Sequence, residues 1–174
     1  MLQTVPVVDI CMNVENSSVL ITGGGSGIGL ALAKRFAKAG SKVVICGRRQ
    51  DVLDEARTQI PTLQPIQCDV ADEQARIRLF EQVTREHPDL NVLINNAGVQ
   101  VRQAALPSAQ DWTRVRNELE INLAAPVHLS FCSLRGWRSN PRLISLMSPA
   151  GWRSRHSRPC RPTARPRQPC TPFR

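Results

Sequence analysis

The sequence predicts an α/β protein: a Rossmann-like, doubly wound parallel sheet in three αβα layers, incomplete on its far side. Apolar, β-branched runs alternate with helical patterns from Ser17 to about Ile94. The links between them are short, which favours right-handed βαβ crossovers and a parallel sheet. The first apolar run leads straight into a glycine cluster that opens the first helix. The 174 residues suffice for one domain with a substantial core and are too few for two ordinary ones.

Ser18-Val19-Leu20-Ile21 reads as the first strand and ends in Thr22 and the glycines. Ile28 to Ala39 follows as a helix, with Ile28, Leu30, Leu32, Phe36 and Ala37 on a broad apolar face and Lys34, Arg35 and Lys38 outside. Gly40 is its stop signal. Lys42 to Cys46 is the second strand, and Gln50 to Ile60 reads helical through Val52, Leu53, Ala56 and Ile60. Gln64 to Cys68 is a third strand. Asp72 to Glu86 is a third helix with Asp72 as its cap. Leu90 to Ile94 is a fourth strand, and Asp111 to about Ser133 is a long helical stretch.

Charge divides the chain. All 14 acidic residues lie at or before Glu120, and residues 1–120 carry a net charge of −1. Residues 121–174 hold ten Arg, no Lys and no acidic residue, a net of +10. Seven of the 13 Pro fall in 135–174, without sustained periodicity. The expected organisation is a leader segment at 1–16, a nucleotide-binding portion at 17–133 and an aberrant, disordered Arg/Pro-rich tail at 134–174. Half a doubly wound sheet is expected to leave the fourth strand with an unpaired edge, which invites aggregation, with Leu143 to Met147 an accidental run that could pair there.

No run approaches the roughly 18 to 20 apolar residues of a membrane span. The N-terminus lacks a basic segment before its apolar residues and is a poor signal peptide. The six Cys show neither CxxC nor zinc-ligand spacing, and Cys46 and Cys68 sit in strand-like runs as small core hydrophobes. A cytoplasmic location without membrane or metal is expected. Ten Arg interrupted mainly by Trp137 and Trp152 imply salt-sensitive, non-specific attraction to nucleic acid, with no motif for specific recognition.

The glycine cluster carries the chemistry. In Thr22-Gly23-Gly24-Gly25-Ser26-Gly27-Ile28-Gly29, Gly23 permits a tight turn and Gly27 lets backbone approach a pyrophosphate. Gly29 allows close helix–strand packing, and the helix N-terminus offers unpaired N–H groups to the anion. The second strand ends Cys46-Gly47-Arg48-Arg49, with no acidic residue to bind ribose hydroxyls and repel a 2′-phosphate. Arg48 can instead make a charge-assisted contact to that phosphate. NADP(H) is therefore expected over NAD(H).

This form, TGxxxGIG, resembles the short-chain dehydrogenase/reductase family of classical type, and further matches follow in order. The resemblance implies an adenine contact for Asp69 in Cys68-Asp69-Val70. It implies a sheet-edge role beside the cofactor for Asn95-Asn96-Ala97-Gly98, and a place in a proton relay for Asn122 in Glu120-Ile121-Asn122-Leu123. The implied cofactor cradle is Thr22, Gly23, Ser26, Gly27, Ile28, Gly29, Arg48, Asp69, Val70, Asn95, Ala97 and Gly98. The segments GRR and IQCDVAD look closest to the DltE-like branch. The implied activity is NADP(H)-dependent oxidoreduction of a carbonyl or alcohol, usually in a homo-oligomer.

The resemblance stops at the chemistry. The family passes a proton through a Tyr hydroxyl, lowers its pKa with a Lys four residues later and orients the substrate oxygen with a Ser. This sequence has no Tyr, and its last Lys is Lys42. His128 and His156 are poor substitutes, one on the long helix and the other in the Arg/Pro tail. Asn122 is the sole surviving member of the catalytic set, so the chain is expected to be inactive.

A shifted reading frame accounts for both the missing residues and the segregated charge. When the third base of each codon is joined to the first two of the next, Arg142 to Gly151 permit A-x-I-I-N-V-S-S-G. Gly151 to Ser157 permit L-A-F-A-P-L, and Pro162 to Arg167 permit Y-S-A-T-K. The latent Ser and Tyr fall thirteen positions apart, as the family's do. The slip is expected near Ser130, and a chain shorter than the family's usual length is its expected product. The competing expectations are an active family enzyme, a nucleotide-binding or non-functional product, and a non-specific nucleic-acid binder.

Overall fold

The computed structural model describes residue 15 and residues 17–100, 109–136 and 144–147. In chain order the elements are β1 (Ser18–Thr22), α1 (Gly27–Lys38), β2 (Lys42–Gly47), α2 (Gln50–Gln59), β3 (Leu63–Gln67), α3 (Glu73–Glu86) and β4 (Val92–Asn95). Then come α4 (Ala109–Leu119), a π-helical turn (Glu120–Ala124), α5 (Ala125–Gly136) and β5 (Ile144–Met147). The strands form one parallel sheet in the order β3-β2-β1-β4-β5.

Strands buried on both faces read as continuous apolar runs, and alternation assigns their side chains to two cores. Val19, Ile21, Val43, Ile45, Val92 and Ile94 face one way and meet Ala33 and Phe36 of α1 and Leu53 and Ala56 of α2. Leu20, Val44, Cys46 and Leu93 face the other and meet Leu79 and Val83 of α3, Ile121, and Ala125 and Leu129 of α5. The expected αβα layering follows. Gly40 takes φ +83 just past α1, the left-handed stop that glycine favours. Asp72 caps α3 by accepting from Gln74 N at 2.9 Å.

Two expectations are corrected here. β4 has no open edge among the described strands: β5 pairs with it in parallel from Val92↔Ile144 to Asn95↔Met147. Residues 144–147, inside the segment expected to lack order, therefore form a strand, and α5 runs past the expected boundary to Gly136. Strand pairing is made by backbone groups, so a four-residue run of Ile-Ser-Leu-Met meets its requirements whatever frame encodes it. The long helix is also interrupted, because Ala125 N bonds to Glu120 O and so opens one wider turn. The leader apart from residue 15, His156 and the rest of the tail lie outside the described residues. Among those residues, no helix is long and apolar enough to cross a membrane.

Candidate functional site

The strand order reverses beside β1, where successive crossovers leave in opposite directions, and a cleft opens at the carboxyl ends of the strands. Its volume is about 770 Å³. One wall is the glycine loop between β1 and α1. Gly23 N and Gly24 N both donate to Cys46 O, at 2.8 and 3.2 Å, which folds the loop against the end of β2. Gly23 and Gly27 take left-handed φ values of +66 and +56. A Cβ on Gly24 would meet Ile45 Cγ2 at 2.6 Å. On Gly29 a Cβ would lie well inside van der Waals contact of Gly23 O and 2.5 Å from Asn96 Nδ2. At Gly27 nothing lies within 4 Å, so the same glycine that needs the left-handed turn also leaves open space beside the cleft.

Ser26 is the N-cap of α1 but its side chain makes no capping bond. The first-turn amides of this 12-residue helix therefore point into the cleft unanswered by a cap. On the opposite lip, Arg48 and Arg49 stand between β2 and α2, and Gln67 Nε2 donates to Arg48 O at 3.0 Å to brace their backbone. A crowded glycine loop, a helix N-terminus and two cations fit an elongated anion such as a dinucleotide.

Most residues expected in the cradle line this cleft: Gly23, Ser26, Gly27, Ile28, Arg48, Asp69, Val70, Ala97 and Gly98. Thr22 and Gly29 instead lie beneath it. Thr22 Oγ1 accepts from both Asn96 N and Ala97 N at 3.0 Å, tying β1 to the segment after β4. Asn95 is also outside the lining. It is buried, and its Nδ2 points to Ser145 Oγ of β5 at 3.4 Å. Its neighbour Asn96 lines the cleft and donates to Thr22 O and Gly23 O at 3.0 and 3.2 Å. Of the pair, Asn96 and not Asn95 lines the cleft, because adjacent residues at a strand end face opposite ways.

Asn122 does not line the cleft either. It sits in the π turn and clamps Val99, whose N donates to Asn122 Oδ1 at 2.9 Å while Asn122 Nδ2 donates to Val99 O at 2.8 Å. Val99 and Ile121 form that wall. Neither was singled out from the sequence, nor was Arg49. Val99 and Ile121 look like ordinary apolar residues until the wider turn sets their direction. His128 accepts from Arg76 Nε at 3.0 Å and is occupied away from the cleft.

Burial first, then the carboxylates of Asp69 and Asp72, push the Cys68 thiol from 9.0 up to about 11. Burial raises Cys46 further still. Cys68 lines the cleft but stays protonated at neutral pH and is a poor nucleophile. Its alkylation by iodoacetamide should be slow at pH 7 and accelerate from pH 9 towards 11, followed by peptide mass spectrometry. The same shift stabilises the fold below about pH 9 and loses that contribution as pH rises through about 11. Labelling at pH 7 as fast as in unfolded chain would contradict this assignment.

A parallel sheet with a glycine turn and a cleft at its switch point defines the dinucleotide-binding class of α/β protein. Within that class the chain belongs to the short chain dehydrogenase family, whose profile matches residues 17–160. It is 47% identical over 119 residues to the "Uncharacterized oxidoreductase DltE" of Bacillus subtilis, a match covering 68% of this chain and 47% of that protein. It is 31% identical over 142 residues to a "Probable NADP-dependent dehydrogenase" of Haemophilus influenzae, covering 79% and 55%. A solved short-chain dehydrogenase from Streptomyces avermitilis superposes with TM-score 0.67 at 26% identity, covering 76% of this chain and 48% of that one. The chain spans about half the length of these relatives. Its fold is that of the short chain dehydrogenase family, and one of these relatives is named NADP-dependent.

Proposed function

We propose that this chain binds NADP(H) in preference to NAD(H) and does not turn over the carbonyl or alcohol its family would act on. The observation that carries the cofactor choice is the lip of the cleft. Arg48 and Arg49 stand where β2 ends, and among the described lining residues the one carboxylate is Asp69, which follows the adjoining β3 and accepts from Ala71 N at 3.0 Å. Gly23 to Gly29 and the α1 N-terminus would hold the pyrophosphate, Arg48 the 2′-phosphate, and Asp69 and Val70 the adenine. When bound, the cofactor supplies two-electron reduction or oxidation of the substrate. Val99 and Ile121 would shield that chemistry from water on their side. The relative named NADP-dependent supports the choice.

Titration with NADPH and NADH, read by fluorescence, tests the proposal. NADPH should bind more tightly, and Arg48→Glu should weaken it about tenfold or more, as expected for loss of a charge-assisted contact and gain of repulsion. Equal affinity for the two cofactors in wild type, or an unchanged NADPH affinity in Arg48→Glu, overturns the assignment. The cell interior is the compartment that suits the free thiols of Cys46 and Cys68.

The absence of Tyr, and of any Lys beyond Lys42, is the ground for inactivity. We attribute it to the shifted frame, whose latent Y-S-A-T-K supplies both residues. The nucleotide sequence across the codons for residues 120–174 decides the matter: a sequence that does not spell the latent reading sinks it. A second reading, salt-sensitive attraction to nucleic acid, rests on the ten Arg after Glu120. A base-specific preference would move that reading ahead of the first.

A further inference from the structure

Arg76 on α3 is only 4% exposed and lies outside the cleft lining. Its guanidinium reaches three other segments. Nη1 donates to Val70 O in the β3–α3 link and to Glu120 Oε1 at 2.8 Å. Nε donates to His128 Nδ1 on α5 at 3.0 Å. A guanidinium can only donate, so His128 accepts through Nδ1. Two of these segments lead to the cleft. Val70 lines it directly, and Glu120 opens the π turn that carries Ile121 into the wall and Asn122 onto Val99.

We propose that Arg76 is a positioning residue: it fixes the Val70 side of the cleft relative to the π turn, and through Asn122 it sets the Val99 wall. A buried ion pair adds little net stability over a well-packed apolar replacement. What this guanidinium adds is geometry, because one rigid planar fork holds a carbonyl, a carboxylate and an imidazole in one arrangement. The π turn needs such a tether. Its wider bond pattern is uncommon and would otherwise relax towards the α-helix on either side. The effect on cofactor affinity rests on the nucleotide reading above, whereas the effect on the cleft wall does not.

The test compares Arg76→Met, Glu120→Ala and Glu120→Gln with wild type by amide hydrogen exchange and by NADPH titration. The hydrogen bonds of Arg76 go to Val70, Glu120 and His128 and not to Val99 or Asn122. Exchange at Val99 N should nevertheless be about tenfold or more faster in Arg76→Met and Glu120→Ala, the scale of a lost charged hydrogen bond. Leu20 and Val44, in the central strands, should keep wild-type protection. Glu120→Gln keeps an acceptor oxygen and should restore Val99 protection. If Arg76→Met does not fold, the two Glu120 variants decide alone, since Glu120 is 39% exposed and tolerates replacement. Unchanged Val99 exchange, or loss in proportion at every core amide, overturns the proposal. NADPH affinity should fall in the same two variants and recover in Glu120→Gln. Should wild type bind no NADPH, the cofactor reading fails while Val99 exchange still judges Arg76.

Discussion

Gly29→Ala should abolish nucleotide binding and lower folding stability by about 1–3 kcal/mol, the cost of forcing extra volume into a packed site. The added methyl has nowhere to go. On one side stands Gly23 O, on the other Asn96 Nδ2, and both are backbone or backbone-bonded groups with little freedom to move. Relieving the clash means pushing α1 away from the loop or breaking the Asn96 bonds that hold β4 to β1. Either shift displaces the helix N-terminus that faces the cleft. Gly27→Ala is the informative contrast. Its methyl meets open space within 4 Å, but its φ of +56 costs a side chain roughly 1–2 kcal/mol. Urea unfolding with NADPH titration separates them: Gly27→Ala should fold and bind weakly, Gly29→Ala should fail to bind. A Gly29→Ala chain with wild-type stability and affinity would refute this account of the loop.

The second expected result is a null rate that a change of frame reverses. With NADPH and a panel of aldehydes and ketones, this chain should show no turnover above the uncatalysed reaction. A chain translated in the latent frame from about Ser130 onward should turn over, gaining at least the roughly 10²–10⁴-fold of one positioned general acid. The reason lies in proton supply. Among the described residues the cleft offers Arg, Asp, Ser and a thiol held near 11, and none is a donor matched to neutral pH. His128 is occupied by Arg76 and Asn122 by Val99. Steady turnover by the chain as given, lost in a His128→Ala variant, would show that a proton path exists which the geometry does not suggest.

Much of the site was legible because glycines and charges act locally. The glycine cluster, the strand before it and the helix after it fix the loop's conformation locally: Gly23 and Gly27 take left-handed φ, and Gly29 packs where no Cβ fits. Arg48 lines the cleft because it follows β2, the strand next to β1 where the order reverses. That Asn96 and not Asn95 lines the cleft was not legible, since a pair of identical residues at a strand end gives no hint which one turns towards it. Asn122 was identified by resemblance, yet its action through Val99 depends on a hydrogen-bond pattern no periodicity encodes.

By itself the sequence determined the order and type of the elements, the parallel sheet and the glycine turn, since each follows from apolar period and from what glycine permits. Only the tertiary structure decided which face of the long helix is inside. Ile121, Ala125 and Leu129 are buried, while Leu119, Leu123, Val127 and Phe131 repeat every four residues on the solvent side. Both series satisfy the helical period equally well, and the π turn at Glu120 shifts the phase between them. The same is true of Arg76 and of β5. A lone arginine on a helix carries no local signal, and the apolar run at 143–147 suggests a strand without saying that the edge of β4 will take it. Their roles come from partners 44 to 52 residues away for Arg76 and about 50 for Ser145. Such contacts are selected by the packed chain, where a buried charge must find acceptors and an open strand edge must find a partner.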